Sequence, residues 1–338
     1  MNKSLSFVLV YDWECPISDF SFFDIGTDKS YFGENENNLF ESRYDSKVKN
    51  QLQEILAEKQ AVALYFSGPF LELLSSHDPS TVKKLKSAKH VTLLGGTYHH
   101  SLAALHSLTH FNLEVIWHQK LIKKLFGTQP TCFLNTQNIY FNHLAESLAS
   151  AGFDSTFTGA IDWYLGNKPD QRIFHSKSNE NFKLLLVNQD GGHTLFQDNN
   201  VANHFLQINS SQLDALGGWA ALIRKTKNNG SIVSVNEQLI ECDSDPYNIR
   251  QPISSSYDGI ELDQIKNYPL QESWLKQLYE IESLVAKKPE AAQKLWSRLG
   301  AMCVLKALNP ELESSEQLSS YEVYQSLINM LNDLRLSL

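Results

Sequence analysis

Short apolar runs and longer amphipathic stretches alternate through the first 240 residues of the chain. The runs Ser6 to Tyr11, Ala61 to Phe66, Val91 to Leu94, Thr131 to Leu134, Leu184 to Val187 and Ile232 to Val235 are β-branched or aromatic and lack polar alternation. A strand with one wet face reads apolar-polar-apolar, so unbroken runs predict parallel strands buried on both faces. Between them, Lys47 to Gln60 sets Val48, Leu52, Ile55 and Leu56 on one helical face. Leu108 to Phe126 makes a longer helix, and Asn138 to Ala151 a third that Gly152 closes as its C′ residue. Repeated strand-helix units predict an α/β fold, a parallel (β/α) barrel. In such a barrel the chemistry gathers at the C-terminal ends of the strands, where Trp13, Glu14, Tyr98, His99, His100, Gln137 and Asn236 fall.

After about residue 255 the pattern changes. Ser254-Ser255-Ser256 and Asp258-Gly259 mark a linker; Trp274, Leu278, Ile281 and Val285 then recur at helical spacing, Pro289 opens another helix, and Val323, Leu327, Leu331 and Leu334 stripe the last. The expected organisation is a barrel over 1–255 and a C-terminal helical subdomain over 256–338 packed on it.

Length and charge narrow the picture. A chain of 338 residues suits one large barrel with an appendage. Lys plus Arg number 29 against 38 for Asp plus Glu, a net charge of −9, and no basic helix face is read, which argues against nucleic acid and anionic membranes as partners. Leu5 to Tyr11 runs straight into Asp12 and Glu14 and reads as a first strand, not a signal peptide; no window approaches the roughly 18 apolar residues of a membrane span. Cys15, Cys132, Cys242 and Cys303 are scattered without a CxxC pair, the pattern of free thiols in the cytoplasm. Gly191-Gly192 and Gly217-Gly218 form no phosphate loop, and no cofactor or metal is expected.

Several separated stretches carry a common resemblance. They are Val8 to Tyr11 with Trp13-Glu14-Cys15-Pro16, Phe22 to Gly26 with Tyr31-Phe32, Phe66-Ser67-Gly68-Pro69 and Leu93 to Leu102. Phe133-Leu134-Asn135-Thr136-Gln137-Asn138-Ile139-Tyr140, Asp162 to Gly166, Leu184 to Asn188, Leu295 to Leu299 and Ser320 to Leu334 follow. In this order they resemble the α-amylase branch of glycoside hydrolase family 57 over nearly the whole chain. The resemblance implies an incomplete seven-stranded barrel, an α-1,4-glucan as ligand, and a retaining hydrolysis that uses a glutamate nucleophile and an aspartate acid/base. Such a reaction needs two carboxyl groups roughly 5 to 5.5 Å apart. Here Gln137 stands at the nucleophile position, Asn236 in the run Ile232 to Glu241 stands at the acid/base position, and Gly96 replaces another family glutamate. A one-residue slip in the second register makes Glu237 a substitute acid. An amide is neutral and weakly nucleophilic, so the chain resembles a family member built for a sugar and not armed to cut it.

Each of these residues also has a plainer reading. Gln137 can hydrogen-bond a sugar hydroxyl or merely mark drift after lost activity. Trp13 and Trp163 can stack on pyranose rings or fill core. His100 belongs with the pocket, His99 equally with the surface; Asp12, Glu14 and Asp162 can bind hydroxyls or face solvent. His106 and His110, four residues apart on one helical face, with Asp12 as a third ligand, also suit a metal-dependent polysaccharide deacetylase. Three functions follow. The leading one is a catalytically impaired glucan binder, alone or assisting an active glucan-processing enzyme. The others are a glycosidase or glucanosyltransferase with a relocated carboxylate (Asp12, Glu14, Asp162 or Glu237), and a structural partner whose pocket is unused.

Overall fold

A computed structural model describes residues 4–14, 16–33, 35–165, 172–187, 203–227, 230–240, 244–256, 259–312 and 318–337. Strand β1 (Ser4–Tyr11) leads to helices α1 (Glu36–Arg43) and α2 (Lys49–Glu58), joined by a π-helical stretch over Tyr44–Val48. Strand β2 (Val62–Phe66) leads to α3 (Gly68–His77) and α4 (Pro79–Ser87), and β3 (Val91–Leu93) with β4 (Gly95–Gly96) to α5 (Ala103–His106) and α6 (Leu108–Phe126). Then come β5 (Cys132–Leu134) with α7 (Asn142–Ser150) and β6 (Ser155–Gly159) with α8 (Asp162–Leu165). A hairpin of β7 (Ile173–Ser176) and β8 (Asn179–Val187) precedes β9 (Asn203–Asn209), α9 (Ser210–Ala215), α10 (Trp219–Thr226), β10 (Ser231–Ile232), α11 (Val235–Ile240) and β11 (Asp245–Tyr247). Beyond Tyr247 the described residues form helices only. These are α12 (Leu262–Lys266), α13 (Pro269–Glu280), α14 (Glu282–Val285), α15 (Glu290–Arg298), α16 (Met302–Ala307) and α17 (Ser320–Ser337), with a short 3-10 turn at Pro310–Leu312.

The pairings trace an unclosed barrel. β9 runs along one edge of β1 and β2 along the other, both parallel, and β2 continues to β3. After Leu94 the same stretch changes sheets, since β4 pairs β5, then β5 pairs β6 and β6 pairs β8, all parallel. Counting β3 and β4 as one, seven strands follow in order: β1, β2, β3/β4, β5, β6, β8 and β9. No ladder joins β8 to β9 among the described residues. The departure from an all-parallel sheet is β7, antiparallel to β8, with β11 beside it.

Burial explains why the strands read as unbroken apolar runs. One core cluster takes Val8, Val10, Ala63, Tyr65, Leu94, Cys132, Leu134, Phe157, Leu185 and Phe205; the other takes Phe7, Leu9, Leu64, Phe66, Phe133, Leu184, Leu186 and Leu206. Alternate residues of each strand thus fill the barrel interior and the layer beneath the helices. The C-terminal helices share that outer layer, and Trp274 Nε1 donates to Leu299 O (3.0 Å) within them. Leu108–Phe126 forms as the sequence predicts, and Gly152 ends the third helix at φ +91° with its N–H on Ala149 O. Lys59, Lys83, Lys84 and Lys89 line a shallow depression beside α2 and α4. No described helix is long and apolar enough to cross a membrane.

Candidate functional site

The chain leaving β1 opens a cleft of about 470 Å³ at the C-terminal end of the barrel. Tyr11, Asp12, Trp13 and Glu14 form one wall, Arg43 and Tyr44 another, and His100, Asn209, Ser210 and Lys306 come from distant parts of the chain. Asn209 ends β9 and caps α9, its Oδ1 accepting from Gln212 N at 2.8 Å, which fixes the Asn209-Ser210 corner at the cleft.

Asp12 is the half-buried carboxyl of the cleft. Its Oδ1 accepts from Trp13 N (2.8 Å). Burial pushes its pKa up, while His100, a hydrogen bond from Ser67 and Lys306 pull the other way. Glu14 is exposed and pairs with Lys306 Nζ at 3.2 Å. Trp13 is a wall rather than an open platform: it is 7 % exposed, donates from Nε1 to Glu36 Oε1 (2.7 Å), and packs edge-on against Phe40 with centroids 5.1 Å apart. The Tyr11 hydroxyl at this wall is buried with no hydrogen-bond partner among the described residues.

Three consecutive motif residues part company. His100 has a left-handed backbone (φ 52°) and lines the cleft, with Nδ1 at 3.5 Å from Thr136 Oγ1. Tyr98 and His99 turn under α15 instead. Tyr98 lies beneath Lys294, whose Nζ is 4.5 Å from the ring centroid. His99 Nδ1 meets Ser297 Oγ at 2.9 Å, and burial pushes its pKa down to about 3 against the pull of Glu114.

Gln137 follows β5 and is fully buried, outside the residues that line the cleft. Its backbone is left-handed (φ 53°), as is that of Asn138 (φ 48°). Two side-chain amides hold this turn. Asn135 Nδ2 donates to Ile139 O (2.9 Å), and Asn138 exchanges hydrogen bonds with Gln207 of β9 at 2.6 and 2.8 Å. Gln137 Nε2 reaches Met302 Sδ of α16 at 3.9 Å, and its Oε1 has no partner among the described residues. Asn236 and Glu237 stand exposed in the first turn of α11 and do not line the cleft. The side chains of Asp162 and Trp163 lie outside the described residues.

At Gly96 the space for a side chain is taken. A β-carbon there would lie 2.2 Å from Tyr65 Cε2 and 3.0 Å from Leu134 O. Tyr65 is itself pinned, with its hydroxyl donating to Thr97 O at 2.7 Å and its ring between His100 and His118, both 5.5 Å away. His118 is a buried neutral imidazole: Nδ1 accepts from Gly96 N (3.2 Å), Nε2 donates to Phe66 O (2.7 Å), and burial pushes its pKa down to about 4.

The deacetylase ligand set does not assemble. His106 stacks on Tyr279 (5.0 Å), and buried His110 spends Nδ1 on Tyr279 OH (3.0 Å) and Nε2 on Ser297 Oγ (2.8 Å), while Asp12 lines the cleft. Among the described residues the grouping with metal-ligand spacing is instead Glu41, Asp45 and His77, where Lys49 Nζ already sits 2.9 Å from Asp45.

The sequence reading missed Lys306, Tyr44, Asn209, Ser210 and the Asn138–Gln207 pair. Asn-Ser-Ser-Gln is a capping-box pattern and could have located the β9–α9 corner. No local signal announces Lys306.

Comparison with known proteins agrees with this architecture. Thermococcus litoralis 4-alpha-glucanotransferase superposes with a TM-score of 0.69 at 12% identity, covering 100% of this chain and 60% of that one. A branching enzyme of family 57 from Thermococcus kodakaraensis superposes at 0.63 with 9% identity, covering 100% and 87%. At such identities the likeness shows the fold. A Methanocaldococcus jannaschii protein named "Putative alpha-amylase" is 32% identical over 146 residues, 43% of this chain and 28% of that protein, so the chain spans under a third of that relative. The family model for glycosyl hydrolase family 57 matches residues 12–231, from the cleft wall at Asp12 to β10, and the chain belongs to that family.

Proposed function

We propose that this chain binds α-glucan in the cleft at the end of β1 and does not perform the family's double-displacement hydrolysis. The observation that carries the reading is Gln137: the residue at the nucleophile position is an amide, fully buried, and apart from the cleft. Asn236, at the acid/base position, points the same way from the surface of α11. The cleft walls still suit a neutral polyol, with Asp12, Glu14, the Asn209-Ser210 corner and Lys306 offering polar groups. The enzymes this chain superposes on, a 4-alpha-glucanotransferase and a branching enzyme, support an α-glucan as the ligand. Assistance to an active glucan-processing enzyme is one use of such binding.

Prolonged incubation of the purified chain with maltoheptaose tests this, counting new reducing ends beside a Gln137→Ala control. Absence of turnover together with saturable binding is expected. One observation favours a second reading, a working hydrolase with relocated carboxyls. Asp12, its pKa raised by burial, and Glu14 line the same cleft. Turnover that persists in Gln137→Ala and vanishes in Asp12→Asn would establish it.

A further inference from the structure

The stretch that begins at the cleft continues to an unusual display of aromatic side chains. Phe22 is 72 % exposed, Phe23 87 % and Tyr321 of α17 61 %. Exposed phenylalanines side by side gain nothing from burial, so their retention on a surface points to contact with something else. The turn that carries them is stapled from several sides. Asp24 Oδ2 accepts from Ser21 N (2.7 Å), Ser21 Oγ (2.8 Å) and Lys29 Nζ (2.9 Å), and Thr27 Oγ1 donates to Asp24 O (2.7 Å). Asp333 of α17 accepts from Gly26 N and Tyr31 OH, both at 2.6 Å, while Ser326 and Asn329 hold the backbone of Phe20. The two rings, 6.0 Å apart and nearly perpendicular, are therefore held in place before any ligand arrives, which lowers the ordering cost of binding.

Beside the turn lies a groove of about 580 Å³ between residues 19–22 and α17. Its walls combine Phe22 and Tyr321 with the amides of Gln325 and Asn329 and the carboxylates of Asp19 and Glu322, and no lysine or arginine lines it among the described residues. That combination disfavours an anionic ligand. It suits a neutral chain with apolar ring faces for the aromatics and hydroxyls for the amides and carboxylates.

We propose that the Phe22–Phe23 turn and the adjoining groove form a second α-glucan contact, engaged by long chains in addition to the cleft. The proposal rests on the α-glucan reading of the cleft and adds a site to it. Phe22 follows Glu14 by eight chain steps, a separation of at most about 29 Å. One polymer can therefore touch both places where a short oligosaccharide engages the cleft alone, and joint engagement raises avidity without a new contact.

The test uses the full chain and two probes, maltoheptaose by titration calorimetry and soluble starch by affinity electrophoresis. Phe22→Ser/Phe23→Ser and, separately, Tyr321→Ala are compared with wild type; all three side chains are exposed, so the fold is retained. Starch affinity is expected to fall about tenfold or more in the double variant while maltoheptaose affinity stays within about twofold. Unchanged starch affinity in both variants, with maltoheptaose still bound, overturns the groove proposal and leaves the cleft reading standing; the exposed aromatics would then belong to a protein interface. Wild-type protein that binds neither probe overturns the cleft reading and the groove together.

Discussion

Gln137 sits at full burial with a left-handed backbone and an amide oxygen that has no partner among the described residues. A buried unpaired acceptor costs about 1 to 3 kcal/mol, and the left-handed region adds about 1 to 2 for a residue with a side chain. Gln137→Met removes the orphaned oxygen at similar length, so its melting temperature is expected to match or exceed that of wild type by a degree or two. Gln137→Glu moves the other way. Without a charged partner the new carboxyl stays protonated in the fold above its unfolded pKa of about 4.3, so the variant's deficit relative to wild type should widen as pH rises from 5 to 8. A deficit that narrows instead would reveal a cation near the position. The sequence marks Gln137, His100 and Trp13 as residues of interest, since each lies in a recognisable motif. It cannot show that His99 and His100 point to opposite sides, because that divergence depends on a φ of 52° at His100. Nor can it show that Lys306 arrives from α16.

Helices α6 and α15 are joined by a fully used hydroxyl. Ser297 Oγ donates to Glu114 Oε1 (2.7 Å) and accepts from His99 Nδ1 (2.9 Å) and His110 Nε2 (2.8 Å), leaving His110 Nδ1 to accept from Tyr279 OH. Ser297→Ala strips three buried groups of their shared partner at once. The expected loss is about 2 to 4 kcal/mol, read as a melting temperature lower by roughly 4 to 8 °C. Acid acts on the same region. His99 and His118 are held neutral with pKa values near 3 and 4, whereas in the unfolded chain they protonate near 6.5. The unfolded state therefore binds more protons below pH 6.5, and stability should fall as pH drops towards 4, by up to roughly 2 to 3 kcal/mol per pH unit. Thermal unfolding in steps from pH 7 to 4 checks this; a flat profile would mean that both rings are charged in the fold, and half the expected slope that one is. At this scale the sequence is legible where burial uses apolar residues and silent where it uses polar ones. β2 reads plainly as Val-Ala-Leu-Tyr-Phe, but β6 is Ser-Thr-Phe-Thr-Gly, and β9 buries His204 and Gln207. Thr156 Oγ1 satisfies itself on Phe133 O (3.1 Å) and Gln207 on Asn138, partners that no local pattern can announce.

Across the molecule, the two positions that the sequence resemblance assigns to catalysis differ in setting. Gln137 is packed against α16 below the surface, and Asn236 is exposed on α11. Putting carboxyls back at both places is therefore expected to fail as a rescue: Gln137→Glu/Asn236→Asp should release no more reducing ends from maltoheptaose than wild type. Turnover well above wild type would show that the substrate reaches position 137 and that burial there is not a barrier. The barrel itself is legible from alternation of apolar runs and amphipathic helices. The lack of a ladder between β8 and β9 among the described residues is not, because ladder closure depends on spatial register that periodicity does not encode.

Tyr65 gives the chain a direction of change. A glutamate at position 96, which the sequence resemblance proposes there, cannot be accepted while the Tyr65 ring lies 2.2 Å from where its β-carbon would go, and that ring is anchored through Thr97 and flanked by two imidazoles. Gly96→Glu alone should yield insoluble protein, whereas a smaller residue at 65 installed first should tolerate it. Installing an acid at position 96 is thus a path with an obligatory order of steps, the first of which opens a hole in the barrel interior before any acid is gained.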